Sequence, residues 1–259
     1  MSPIVSSTIF LLLGTALAVP FTPNTFQARS LNPTCAPGGN FNLANWKLQL
    51  PTGTPGKMDS VSGSKLKGCS GWKDSDHFFT SKTDGSLVMQ VPGSKESSGC
   101  VTSPNSKHCR TELRESNPNS WSPKSAVNRL KVKLSVPKAD DSKYGTVIGQ
   151  IHVDDSVSTK PVCELFINKS GQITMGVEQI PNTSSLKMTK IQSVAPNATF
   201  TYEIRYEQSK LKVAINGGDF KTLSTGSLKA PLSYFKVGNY NQGDSPSKVQ
   251  FYSIDVQHS

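Results

Sequence analysis

Short segments in which apolar and polar residues alternate follow one another from about residue 41 to the C-terminus. They are rich in β-branched and aromatic residues, and Gly, Pro, Asn, Asp and Ser separate them, which is typical of β-strands. The segments cover residues 86–91, 125–136, 144–153, 161–167, 171–177, 201–208, 210–215, 233–240 and 248–256, and residues 166–175 and 205–215 have the pattern of hairpins. Because no segment has a sustained helical period, the pattern predicts an all-β fold, a β-sandwich of the jelly-roll type.

The N-terminal segment differs from the rest of the chain. Residues 1–18 contain no charged side chain and end in small residues after an apolar run, as in a secretory signal peptide. We therefore predict a signal peptide over residues 1–18, a leader over residues 19–34 and a single domain over residues 35–259. No later stretch is long and apolar enough to span a membrane. A secreted, extracellular protein is expected.

The chain contains five cysteines, and in an oxidising compartment we expect four of them to pair. Cys100 and Cys109 bracket a short loop and are the favoured pair, which leaves Cys35 with Cys69. Cys163 lies inside an apolar strand segment and is the candidate free thiol.

The formal net charge of +10 suits a polyanionic partner, although a solubilising role explains it equally well. Export, an aromatic content of 8% and the lack of a nucleic-acid-binding module argue against nucleic acid. An acidic polysaccharide fits a secreted protein better. Sequons for N-glycosylation begin at Asn168, Asn182 and Asn197, and they suggest a eukaryotic source.

One predicted strand, RTELRE at residues 110–115, is mostly charged. Alternation along a strand places Arg110, Glu112 and Arg114 on one face and Leu113 on the other. Taken alone, such a face is usually a set of solvated ion pairs.

Two further strands carry a polar face with a largely apolar reverse. Gln150 and His152 share one such face, and a lone strand histidine is more often structural than catalytic. The second face comprises Tyr234, Lys236, Gly238, Tyr240 and Gln242, and Asn241 lies on its reverse. If the three faces align on one sheet, they form the polar floor of a cleft.

In this order, RTELRE, QIH at residues 150–152 and YFKVGNYNQ at residues 234–242 resemble the signature regions of polysaccharide lyase family 7, the alginate lyases. Residues 41–51 resemble the first strand of that family, and the resemblance spans about residues 40–255. Val237, Asn239 and the cysteine-bracketed loop depart from the family pattern. The chain is thus identified as a secreted eukaryotic, fungal member.

The resemblance implies a concave cleft in a jelly roll, with catalytic roles for Arg110, Gln150, His152 and Tyr240. Arg110 and Gln150, with His152, would hold the uronate carboxylate and stabilise the charge that develops as the C5 proton leaves. Tyr240 would take that proton as a phenolate and return it to the departing O4, which requires nearby cations to lower its pKa from about 10. His152 is the alternative base for the opposite C5 epimer.

Arg114, Lys236, Asn241 and Gln242 are assigned to substrate binding. Glu112 is placed in the same binding group, where it either orients the arginines or forms a purely structural ion pair. No metal or other cofactor is predicted, because no two of the four histidines have chelating spacing. An acidic polysaccharide is the expected partner, without nucleic acid or membrane, and a monomer is expected.

Other functions stay open at this point. Glucuronan lyase is the alternative within the same chemistry, and a non-catalytic module that binds acidic polysaccharide is the alternative outside it. A glycoside hydrolase needs two facing carboxylates, but alternation sends Glu112 and Glu115 to opposite faces. A cross-strand pair of Glu112 with Asp154 is conceivable, although nothing specific favours it.

Overall fold

The computed structural model describes residues 30–183 and 185–259, and its strands confirm the all-β prediction. The signal peptide predicted over residues 1–18 and most of the leader lie outside the described residues. The strands are β1 (Trp46–Thr54), β2 (Lys57–Val61), β3 (Phe78–Thr80), β4 (Leu87–Val91), β5 (Arg110–Glu115), β6 (Asn128–Lys138), β7 (Thr146–Val153), β8 (Pro161–Ile167), β9 (Gln172–Glu178), β10 (Leu186–Ser193), β11 (Phe200–Glu207), β12 (Lys210–Ile215), β13 (Lys221–Leu223), β14 (Ser233–Tyr240) and β15 (Ser247–His258). One-turn helices α1 (Pro37–Asn40), α2 (Gly63–Leu66) and α3 (Lys95–Ser98) lie in the connections.

The strands form two antiparallel sheets that pack face to face. The eight-stranded sheet has the order β10-β9-β8-β7-β14-β5-β1-β2, and the seven-stranded sheet has the order β13-β12-β11-β6-β15-β4-β3. In the larger sheet, β7, β14 and β5 are neighbours although they are far apart in sequence. The three strands with polar faces therefore lie side by side.

The core lies between the sheets and takes the apolar face of each strand. Leu113, Ile151 and Phe235 from the larger sheet are fully buried, as are Ile204 and Phe251 from the smaller one. Burying these side chains on the reverse of β5, β7 and β14 fixes which face of each strand points outward.

Gly149 allows the two sheets to approach closely. A Cβ at this position would lie 2.5 Å from the hydroxyl oxygen of Tyr202. That hydroxyl donates a 2.8 Å hydrogen bond to the carbonyl of Ile148. The glycine thus makes room for a buried tyrosine that ties β11 to β7.

Both predicted hairpins are present. In the turn between β8 and β9, Asn168 Oδ1 accepts hydrogen bonds from the backbone N–H groups of Ser170 and Gln172. In the turn between β11 and β12, Gln208 and Ser209 both have positive φ, the conformation that two-residue hairpin turns require.

Four strands were missed by the sequence pattern: β2, β3, β10 and β13. Strands β3 and β13 contain three residues each, too few to establish a period. Strand β10 is an edge strand whose register shifts between Lys190 and Gln192, and this shift interrupts its alternation. Edge position and irregular pairing hide such strands from a period-based analysis.

The cysteines pair as their positions predict. Disulfides join Cys35 to Cys69 and Cys100 to Cys109, and Cys163 is buried as a free thiol. The second disulfide closes the loop that leads directly into β5. Within the described part of the chain, no helix is long and apolar enough to cross a membrane.

We expect Leu113→Ala to destabilise the domain by about 2–5 kcal/mol, because it leaves a cavity in the core behind β5. The free energy of unfolding from denaturant titration, with the disulfides intact, measures this loss. Lys133→Ala, at an exposed position of β6, is the control and should change stability by no more than about 0.5 kcal/mol. A Leu113 variant as stable as this control would contradict the packing.

Candidate active site

Strand register brings the predicted polar residues onto the floor of one cleft. Arg110 is paired with Tyr240, and Lys236 is paired with Arg114 on one side and Gln150 on the other. Tyr234 is paired with His152. The cleft has a cavity volume of about 930 Å³, and all of these side chains line it.

Glu112 is the centre of a buried charge cluster. Its Oε2 lies 3.1 Å from Arg110 Nη1 and 2.5 Å from Lys236 Nζ, and its Oε1 accepts a 2.5 Å hydrogen bond from Gln150 Nε2. Burial alone would raise the pKa of the Glu112 carboxyl, but Lys236 and Arg110 hold it below its usual value. A Cβ at Gly238 would lie 2.6 Å from Glu112 Cα, so glycine is needed opposite this residue.

These contacts do not support the assignment of Glu112 to substrate binding. Its side chain is 1% exposed and does not line the cleft, because its two oxygens are already occupied by three partners. Its contacts with Arg110, Lys236 and Gln150 fit the orienting role that was one of its two interpretations, and that role stays a prediction.

Tyr240 lies beneath Arg110 and beside a loop residue that the sequence analysis missed. The guanidinium carbon of Arg110 is 3.8 Å from the centre of the Tyr240 ring. Ser106 Oγ lies 3.0 Å from the Tyr240 hydroxyl and accepts a 2.9 Å hydrogen bond from Arg110 Nη2. Ser106 belongs to the loop closed by the Cys100–Cys109 disulfide, and the position of that loop before Arg110 was the available signal.

The expectation that cations favour the Tyr240 phenolate is wrong for the free protein. Burial raises the pKa of Tyr240, and Arg110 lowers it by less. The negative charges of Glu164 and, to a smaller extent, Glu112 raise the pKa further. Tyr240 is therefore a neutral phenol at rest.

His152 is a neutral imidazole with a defined tautomer. Its Nδ1 lies 2.8 Å from the carbonyl oxygen of Val153, and since a carbonyl only accepts, Nδ1 carries the proton. Burial, followed by the positive charge of Lys236, lowers the pKa of His152 to about 4. Nε2 is then an unprotonated acceptor, which does not suit the predicted part of His152 in holding a carboxylate.

A second cluster of polar side chains lies around His152. The Tyr234 hydroxyl lies 3.0 Å from His152 Nδ1 and donates a 2.9 Å hydrogen bond to Asp155. Arg114 stacks over the Tyr234 ring at 4.0 Å and forms a 3.2 Å ion pair with Asp155. Asp155 and Tyr234 had no assigned role, because contacts between loops and strands cannot be read from alternation.

The remaining candidates for substrate binding differ in whether they line the cleft. Arg114, Lys236 and Gln242 line the cleft, and burial followed by the charge of Arg110 lowers the pKa of Lys236 to about 8. Asn241, also assigned to substrate binding, does not line the cleft. It is 1% exposed, and its Nδ2 donates to the Ser245 carbonyl and to Ser247 Oγ, so it holds the connection between β14 and β15.

The structure places Glu112 and Glu115 on opposite faces of β5, as alternation predicted, so they do not form the carboxylate pair of a hydrolase. Glu115 faces the core, where it accepts hydrogen bonds from Trp121 Nε1 at 2.8 Å and from the backbone N–H of Phe235 at 3.0 Å. Asp154 binds the backbone N–H of Ser156 and does not line the cleft. Among the described residues, no group of three or more His, Cys, Asp and Glu side chains is placed to hold a metal ion.

Comparison with known proteins agrees with this geometry. The family model described as alginate lyase matches residues 41–258. An alginate lyase of Klebsiella pneumoniae is 32% identical over 137 residues, which cover 51% of this chain and 42% of that protein. The chain thus matches less than half the length of this curated relative.

Solved structures extend the comparison over nearly the whole described domain. A variant of the family 7 alginate lyase A1-II', with a histidine replaced by asparagine and a tyrosine by phenylalanine, is bound to a substrate (GGMG); it is 27% identical, covers 88% of this chain and 98% of that one, and has a TM-score of 0.74. The alginate lyase of Pseudomonas aeruginosa is 26% identical, covers 84% of this chain and 99% of its own, and has a TM-score of 0.67. These similarities confirm the predicted jelly-roll sandwich.

The protonation of His152 is open to a direct test. We expect its imidazole to stay neutral until the pH falls towards about 4, with the proton on Nδ1, because protonation would place a buried cation near Lys236. Nitrogen chemical shifts of the ring, assigned by comparison with His152→Asn, report both the midpoint and the tautomer. A midpoint near 6.5, or a proton on Nε2 in the neutral form, would contradict the described contacts.

Proposed function

The chain belongs to the alginate lyase family, because the family model covers residues 41–258, and from this premise we propose that it cleaves alginate by β-elimination. The reaction removes the proton on C5 of a 4-linked uronate. The electron pair that is released forms the C4–C5 double bond, the C4–O4 bond breaks, and O4 takes a proton. The products are a shorter polymer and an oligosaccharide with an unsaturated uronate at its end.

The observation that carries this proposal is the grouping of Arg110, Gln150, His152 and Tyr240 along one cleft floor. A C5 proton is weakly acidic while its neighbouring carboxylate is charged, so an enzyme must stabilise the negative charge that builds up on that carboxylate. Arg110 offers a planar guanidinium and Gln150 an amide at the centre of the cluster. Glu112 keeps both in place before substrate binds.

The resting protonation states suit a two-residue proton transfer. His152 has an unprotonated Nε2 that can accept the C5 proton, and Tyr240 has a phenolic proton that it can give to O4. This assignment applies to the C5 epimer whose proton and O4 lie on opposite faces of the sugar. For the other epimer, Tyr240 would both take and return the proton, which requires it to lose its phenolic proton first.

The solved relatives support the choice of residue types. The A1-II' variant with its bound substrate carries substitutions of one histidine and one tyrosine. In this chain, His152 lies beside Gln150 on β7 and Tyr240 is paired with Arg110, and both line the cleft. A glucuronan would present the same carboxylate and C5 proton, so it is the alternative substrate.

We also infer where the protein works. The signal peptide at residues 1–18, the two disulfides and the three sequons support a secreted glycoprotein of eukaryotic, fungal origin. After the leader over residues 19–34, residues 35–259 would act as one domain and as a monomer. The net charge of +10 favours approach of an acidic polysaccharide.

Ultraviolet absorbance during incubation with polymannuronate, polyguluronate and glucuronan tests the reaction. β-Elimination leaves a conjugated uronate that absorbs, whereas hydrolysis does not, so we expect a rise on at least one alginate block. The fastest rise identifies the preferred uronate. Retained binding without any rise in absorbance would contradict the lyase and favour a binding module.

Tyr240→Phe should lower kcat by about 10²-fold or more and change KM little, because it removes the proton donor and keeps the ring beneath Arg110. Initial rates of the absorbance rise give both constants. Tyr252→Phe, which removes a hydroxyl from β15 in the other sheet, is the control and should leave both constants unchanged. Equal rates in the two variants would remove Tyr240 from the proposed mechanism.

A further inference from the structure

A buried carboxylate in the cleft has no part in the mechanism above. Glu164 lies on β8, in register with Gln150 on β7, and lines the cleft with 9% of its surface exposed. The structure gives its carboxylate no hydrogen bond and no ion pair with any described residue. Buried carboxylates normally have such partners, so a carboxylate without one on the floor of the cleft is unusual.

The charges around Glu164 explain why it has no cation of its own. The charged or titratable groups that face it or the same cleft are Arg110, Glu112 and Arg114 on β5, Tyr234, Lys236 and Tyr240 on β14, His152 on β7, Glu178 on β9, and Lys107, His108, Tyr144, Asp155 and Lys160 in the connections. Glu112 already takes both Arg110 and Lys236. An ionised Glu164 would therefore be a second carboxylate sharing two cations.

Burial, then repulsion by Glu112, raises the pKa of Glu164 to about 7, although Arg110 and Lys236 partly oppose the rise. The group thus changes charge near neutral pH. With Glu164 ionised, two cations and two carboxylates cancel at the centre of the floor. With Glu164 protonated, one positive charge is left, which matches one uronate carboxylate.

We propose that Glu164 is a substrate-binding residue that contacts the uronate polymer in its protonated form, beside Gln150, and that the Glu164 carboxylate takes up a proton from solvent when the polymer binds. The reason is electrostatic linkage: each uronate carboxylate brought onto the floor repels the Glu164 carboxylate and favours its neutral form. The neutral carboxyl donates a hydrogen bond to the polymer. This inference deepens the proposed function and rests on a polyuronate being the ligand.

The kinetic test compares wild type with Glu164→Gln, which keeps the shape and the hydrogen-bond donor but cannot ionise. At constant ionic strength, KM of wild type should rise about fourfold between pH 5.5 and pH 7.5, as expected when an acid of pKa about 7 must be protonated to bind. KM of Glu164→Gln should be flat over this range. Both proteins should keep the same pH profile of kcat, because Glu164 acts in binding.

Glu203→Gln is the matched control, since it makes the same chemical change on β11 in the other sheet. It should keep the wild-type rise in KM. A Glu164→Gln variant that keeps this rise would overturn the proposal. A wild-type KM that falls as the pH rises would overturn it as well, because ionised Glu164 would then be the binding form.

A measurement of binding without turnover distinguishes a failure of this inference from a failure of the proposed lyase activity. Calorimetric titration of alginate into Tyr240→Phe at pH 7, in buffers of different ionisation enthalpy, should show an uptake of about half a proton per site. The double variant Tyr240→Phe with Glu164→Gln should bind without that uptake. Equal proton uptake in both would overturn the role of Glu164, whereas a failed lyase would show in the absorbance assay of wild type.

Discussion

The polar floor of the cleft depends on the shared carboxylate of Glu112. Arg110 and Lys236 are buried cations on adjacent strands, and without a buried anion their mutual repulsion and desolvation would oppose folding. Glu112 resolves this by contacting both cations and Gln150 at once. Gly238 makes the arrangement possible, because any side chain there would collide with β5. The cleft can thus hold strong hydrogen-bond donors in fixed positions before a ligand arrives.

Burial and the charges on the floor also set the protonation states of Tyr240 and His152, the two groups proposed for proton transfer. Burial dominates at Tyr240 and, together with the negative charges of Glu164 and Glu112, keeps it a phenol despite the nearby Arg110. His152 is neutral for a related reason, since it is buried close to Lys236. Its Nδ1–H donates a hydrogen bond to the backbone carbonyl of Val153. A base and an acid therefore stand ready without any change in charge. A more cationic floor would bind polyanions more strongly, but it would favour the phenolate and remove the acid.

Alternation and the family motifs together predicted the sandwich and most of the floor. Because side chains alternate along a strand, the outward faces of β5, β7 and β14 could be assigned from sequence. Asn241 shows where the two kinds of reasoning conflict: alternation placed it on the reverse face, the motif placed it at the substrate, and the structure buries it. Ser106 and Asp155 were not found, because their positions depend on loops and no period governs a loop. The phenol state of Tyr240 was missed for another reason, since it depends mainly on how deeply the ring is buried, which alternation does not give.

The distribution of charge between the surface and the floor explains how one protein can both attract and process a polyanion. The net charge of +10 acts at long range and draws an acidic chain towards the cleft. On the floor itself, Glu112 offsets one of the two buried cations, and Glu164 offsets the other only while it is ionised. Attraction of this kind is screened by salt, whereas buried hydrogen bonds are screened much less. Long-range attraction by the net charge and short-range contacts on the floor should therefore respond differently to salt.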